Sequence, residues 1–106
     1  MLIRHFINLV RDGKQSEQQL AVLWNARREE LLPHINTLVD NQIIYQVAVS
    51  CGKLQFAVFL ATQGADFVWA DQRGEIRAMV QAQFPDRLEW FIQELRFVDT
   101  CNLAAS

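Results

Sequence analysis

Histidine, cysteine, proline and glycine are all scarce in this 106-residue chain, with two, two, two and four residues respectively. Each scarcity removes a class of chemistry. Hydrolysis by a serine or cysteine nucleophile needs a histidine within hydrogen-bond reach. His5 and His34 stand in no recognisable motif, no glycine-rich turn marks a nucleophile, and both histidines read as surface or partly buried residues of helices. Cys51 and Cys101 lie far apart and form neither a metal pair nor a disulfide framework. They read as buried or incidental thiols in a reducing, cytoplasmic compartment. The four glycines, Gly13, Gly52, Gly64 and Gly74, are dispersed one to a turn, so none builds a phosphate cradle. Strong charge of one sign is missing too: a net charge of −2 and a pI near 5.6 offer no general attraction for nucleic acid or anionic lipid. No apolar run approaches the ~20 residues of a membrane span. Residues 1–10 are apolar, but Arg4, His5 and Asn8 interrupt them and no small-residue cleavage site follows, so no signal peptide is expected. The expectation is a protein without metal, without cofactor and without enzymatic activity.

What is present is a folded composition, 51% apolar and 21% charged, in a single domain spanning 1–106. Ile3, Phe6, Ile7 and Val10 fall at helical spacing, with Arg4, His5, Asn8 and Arg11 opposite. Asp12, Gly13 and Lys14 stop that helix. Ser16 and Gln19 have the capping-box arrangement ahead of a long amphipathic run whose shared face is Leu20, Leu23, Trp24 and Leu31. Pro33 cannot continue a helix interior and is expected to open a new, short one. Ile35, Leu38 and Val39 are its expected buried face, with Asp40 and Asn41 as its end and as the cap of the next helix. From Gln42 to Cys51 the apolar residues are too dense to fix a period, and Ile43 and Ile44 would tolerate a strand. Later, Ile76, Met79 and Val80 line one helix, Pro85 and Asp86 interrupt, and Leu88, Phe91, Ile92 and Leu95 line another. Residues 97–106 are expected to make a short ordered contact and then loosen.

The order and spacing of residues from Tyr45 to Gly74 resemble one ankyrin repeat, at about 41–73, running into the loop of the next. Ala48 and Gly52 stand in a first short helix and its turn, Phe59 and Leu60 in a second, Gly64, Ala65 and Asp66 at its close, and Asp71 with Gly74 in the connecting loop. The resemblance implies that Gln42 to Cys51 is helical, that Leu54 to Thr62 is its antiparallel partner, that Gly64 is a left-handed cap, and that Phe67 to Gly74 is a protruding turn. A degenerate repeat follows over 75–95. There a strict period of about 33 residues sets Gln81 against Ala48 and Pro85 against Gly52. The implied fold is all-α: a short stack of antiparallel helix pairs, an ankyrin-like solenoid with atypical N-terminal helices. A lone unit cannot bury its apolar face, so those N-terminal helices must supply partner surface.

The resemblance further implies a protein partner, bound by turn tips and the outward side of the first helix: Val47, Ser50, Cys51, Trp69, Gln72, Arg73 and Glu75. Ankyrin repeats serve many unrelated partners, so this implies a class of activity, adaptor or inhibitor, and no identity. Phe67, Trp69 and Trp90 are the aromatics hardest to bury, and they either fold back over a neighbouring unit or form a hot spot. The charged run Arg27, Arg28, Glu29 and Glu30 reads as a solvated helix face. Ala48, Gly52 and Val58 also have helix-turn-helix spacing, but the following helix offers only Gln55 and Thr62 to a base edge, which speaks against DNA. The alternative to an adaptor is a small helical bundle acting as a chaperone or complex subunit, homodimeric through Ile3, Phe6, Ile7 and Val10.

Overall fold

Helix α1 (Leu2–Asp12) forms as its apolar spacing requires, with Ile3, Phe6, Ile7 and Val10 buried and Arg4, His5, Asn8 and Arg11 exposed. The computed structural model describes the backbone of residues 2–105 and the side chains of residues 2–99, so the Cys101 thiol lies outside the described side chains. α2 (Glu17–Ala26) starts on the expected capping box: Gln19 N donates to Ser16 Oγ at 3.1 Å, and Ser16 N donates to Gln19 Oε1 at 2.8 Å. The long amphipathic run is broken, however. Arg27, at φ −126° and ψ 28°, ends α2, and α3 (Arg28–Leu31) starts directly after it. Leu20, Trp24 and Leu31 stay buried while Leu23 is left exposed.

Pro33 opens only a single 3-10 turn, Leu32–His34. Ile35 and Val39 are buried but Leu38 is exposed, because the chain leaves the helical path and makes a tight hairpin. Val39 N donates to Gln42 O at 2.8 Å and Gln42 N to Val39 O at 3.1 Å. Asp40 and Asn41 between them have φ of 54° and 68°, the two positive angles that a two-residue hairpin turn demands and that Asp and Asn tolerate. They therefore do not cap the next helix. α4 (Ile44–Ser50) follows Ile43, and Gln46 Oε1 accepts from Ile43 N at 2.8 Å.

α5 (Leu54–Thr62) has the expected bounds, and Gly64 has a positive φ of 114°. The expected open turn contains a one-turn helix, α6 (Phe67–Ala70). α7 (Glu75–Gln83), a 3-10 turn over Pro85–Arg87, and α8 (Leu88–Ala105) complete the chain. α8 runs on as helix through the segment expected to loosen, with Val98 buried. The described residues form an all-helical fold, apart from the single Val39–Gln42 bridge.

Packing joins like with like along the chain. α1 packs on α4 and α4 on α7, while α2 packs on α5 and α5 on α8. Aromatic rings bind the first half together: Phe6 meets Trp24 edge-on at 5.5 Å and stacks on Phe56 at 6.0 Å. In the second half Tyr45 stacks on Phe91 at 6.5 Å. The α4–α5 turn carries Gly52 at φ 76°, and a Cβ there would lie 2.9 Å from Phe84 Cζ. The ring at the end of α7 thus sits directly on backbone.

Two buried polar atoms in this core, Trp24 Nε1 and the Tyr45 hydroxyl, have no hydrogen-bond partner among the described residues. Burial first, and the Asp71 carboxylate second, push the Tyr45 phenol above its ordinary value. A phenol whose folded value is raised stays protonated after the unfolded chain has ionised. Its contribution is therefore complete below pH about 10 and is lost as pH rises further, by up to about 1.4 kcal/mol per unit. Tyr45→Phe is expected to leave neutral-pH stability unchanged or raise it by about 1 kcal/mol, and to flatten the alkaline loss in urea titrations above pH about 10. Gly52→Ala is expected to cost about 1–2 kcal/mol from the left-handed backbone alone, plus the displacement of the Phe84 ring, as read by the same titrations.

Candidate partner-binding surface

Three side chains fix the loop that leaves α5. Asn36 Nδ2 donates to Gly64 O at 3.1 Å, and Asp66 N donates to Asn36 Oδ1 at 2.8 Å, so one amide saturates both directions of the passing backbone. Asp66 Oδ1 then accepts from Trp69 N at 3.1 Å and starts α6. At the far end Asp71 Oδ1 accepts from Ile76 N at 3.1 Å and Arg77 N at 3.3 Å, while Arg77 Nε donates to Asp71 Oδ2 at 3.1 Å. That carboxylate satisfies orphan amides at the start of α7, where the helix dipole also favours negative charge. The loop is held by these hydrogen bonds together with core burial of Ala65 and Ala70, with Phe67 packed against that core.

Between the anchors, Trp69, Gln72, Arg73 and Glu75 gather with Asn41, Gln46 and Ala70 around a depression of about 240 Å³. Trp69 is 38% exposed. Of the residues that the sequence nominates, these four converge. Ser50 and Cys51 are exposed at the other end of α4 and do not line the depression. Ser50 Oγ instead donates to Met79 Sδ at 3.6 Å, and the Cys51 thiol is free and exposed rather than buried.

Val47 must be withdrawn as a contact. It is only 2% exposed, because α4 is packed by α1, α5, α6 and α7. Only the narrow strip of Gln46 and Ser50, one helical turn apart, reaches the surface. Asn41 and Gln46 were the residues that sequence reasoning missed. The Asp40 and Asn41 pair carried the signal, since adjacent residues of this kind suit the two left-handed positions of a hairpin turn. The proposed self-association face fails as well: Ile3, Phe6, Ile7 and Val10 are all spent inside the chain's own core.

Chemically the depression offers one aromatic face, three carboxamides, one cation and one anion, and its lining holds neither a histidine nor a hydroxyl or thiol nucleophile. Among the described residues no group of three His, Cys, Asp or Glu could hold a metal ion, and no helix is long and apolar enough to cross a membrane. No family model, no curated protein and no solved structure matches this chain.

Asp71→Ala is expected to cost about 1–2 kcal/mol, the usual effect of losing a helix cap. Hydrogen exchange should speed up over residues 66–77 and stay unchanged in α1 and α2. Asp71→Asn, which keeps an acceptor, should retain most of that stability.

Proposed function

We propose that the protein is a non-catalytic protein–protein interaction module, an adaptor or inhibitor built as an ankyrin-like stack, that grips a protein partner with the tips of its loops. Support for the stack comes from the two rows of packed helices, α1–α4–α7 and α2–α5–α8, and from the tight hairpin at Asp40 and Asn41 that precedes α4 as the 66–74 loop precedes α7. The observation that carries the binding role is Trp69: a large aromatic more than a third exposed, on a loop fixed by Asn36, Asp66 and Asp71. Exposing such a ring costs stability, and holding it in one conformation lowers the entropy lost on docking. The carboxamides and Arg73 around it are adaptable hydrogen-bond groups of the kind that surround aromatic anchors.

The working surface in this reading is Trp69, Gln72, Arg73 and Glu75, extended by Asn41 and Gln46. A cytoplasmic, reducing setting goes with it, in which the exposed Cys51 thiol stays unpaired. No cofactor enters the reading.

The expected outcome of affinity capture with tagged protein is a partner held by the wild type and lost by Trp69→Ala/Arg73→Ala. Circular dichroism should report equal folding, and Gln93→Ala, at an exposed position of α8, should serve as the unaffected control. Loss of a hot-spot tryptophan weakens binding by about 2 kcal/mol, roughly 30-fold. Equal capture by the double variant would remove the loop tips from consideration.

A further inference from the structure

The Trp69 depression has two walls that come from separate stretches of chain. Asn41 and Gln46, from the hairpin and α4, make one, and the other runs from Trp69 to Glu75. Packing of α4 on α6, with Ala65 and Ala70 buried, keeps the second stretch on the core. The polar link between the two stretches is Asn36, five residues ahead of Asn41. Its Nδ2 donates to Gly64 O at 3.1 Å and its Oδ1 accepts from Asp66 N at 2.8 Å. One more bond carries the path to the ring-bearing residue, since the Asp66 carboxylate accepts from Trp69 N at 3.1 Å.

We propose that Asn36 is a two-handed clasp that makes the depression a single conformational unit. When the clasp is closed, the backbone at Gly64 and Asp66 is held in register with the hairpin, Asp66 caps α6, and Trp69 stands opposite Asn41. When it opens, the loop keeps its hold on the core through Ala65 and Ala70, but the two walls move independently and the depression is lost. A carboxamide suits this task because one short planar group supplies both a donor and an acceptor. Asn36, Gly64 and Asp66 are all exposed, so water competes for both bonds and opening strands no buried polar group. The backbone also has a pivot. Gly64 has φ 114°, and no atom lies within 4 Å of the place a Cβ would occupy. The hairpin moves as a rigid piece, closed by its own pair of backbone bonds between Val39 and Gln42.

The consequence for binding rests on the Trp69 surface being the working one. A partner lying across both walls favours the closed clasp, and whatever fraction of the free chain is open lowers its apparent affinity. The clasp itself is a property of the free chain. Val68, although next to Trp69, stands outside the unit: it is 65% exposed and faces a separate groove of about 250 Å³ between α6, α7 and α8.

The test is two-dimensional NMR with amide exchange on the full chain, without a partner, for the wild type, Asn36→Ala and Asn36→Asp. In Asn36→Ala the Asp66 amide should exchange about tenfold faster, the effect of losing one to two exposed hydrogen bonds. The Trp69 indole signal and the side-chain amide signals of Asn41 and Gln72 should shift with it, while amides inside α2 and α5 keep their protection. Asn36→Asp keeps the acceptor for Asp66 N and loses the donor to Gly64 O, so it should fall between the other two. Val68→Thr, in the separate groove, should leave the Asn41 signals in place. A faster Asp66 amide with unmoved Asn41 and Trp69 signals would overturn the proposal, because Asn36 would then serve its two contacts alone. Loss of protection throughout α2 and α5, the mark of a general structural role, would overturn it as well, and so would wild-type behaviour of Asn36→Asp. Whether a partner uses the surface is decided separately, by capture with Trp69→Ala/Arg73→Ala.

Discussion

Helix α5 has almost no face that can be left in water, and the rest of the molecule is arranged to deal with that. Leu54, Phe56, Ala57, Leu60 and Ala61 are all buried, and only Gln55 and Thr62 are exposed. A helix apolar around most of its circumference must be surrounded. Here α2, α4 and α8 close on it from three sides. The alanines at 57 and 61 leave room for close approach, while Phe56 reaches out to Phe6 and so draws α1 and Trp24 into the same core. The link to α2 is also polar: Phe56 N donates to Glu17 Oε1 at 3.1 Å, across 39 residues of chain.

Where a local rule had a single solution, the sequence could be read directly. The capping box at Ser16, the buried stripe of α1 and the limits of α5 each follow from spacing or from one backbone requirement. Failures occurred where packing from several sides decided the outcome. Val47 has the spacing of an outward residue, but α4 is wrapped so closely that a strip one residue wide remains. Leu23 has the spacing of a buried face in an unbroken helix, and Leu38 that of a buried face in a short helix opened by Pro33. The break at Arg27 and the hairpin after Leu38 turned those faces elsewhere. Part of the candidate surface was legible, since Trp69, Gln72, Arg73 and Glu75 are neighbours in sequence as well as in space. Asn41 joins them through the hairpin that the Asp40 and Asn41 pair signals, and Gln46 through the tertiary placement of α4, which no local pattern encodes.

The two kinds of surface differ in how they are made. The Trp69 depression is held by hydrogen bonds from Asn36, Asp66 and Asp71, directional contacts that set a loop's shape, with the small buried side chains of Ala65 and Ala70 beneath it. The groove that Val68 lines lies between α6, α7 and α8, with Phe67, Ile92 and Leu95 as apolar walls and Asp71 and Arg77 among its charged ones. Exposure of Trp69 and of Val68 therefore has separate causes, although the residues are adjacent. One side chain faces each depression.

The amide of Asn36 belongs to the N-terminal half, yet it grips backbone 28 and 30 residues further on. Contacts of that separation require the intervening chain to be closed, at a cost in entropy. The loop presenting Trp69 thus depends for its shape on contact between the two halves of the chain. A partner that recognises it would select completed molecules over partly folded ones, making the surface a report on the integrity of the whole chain.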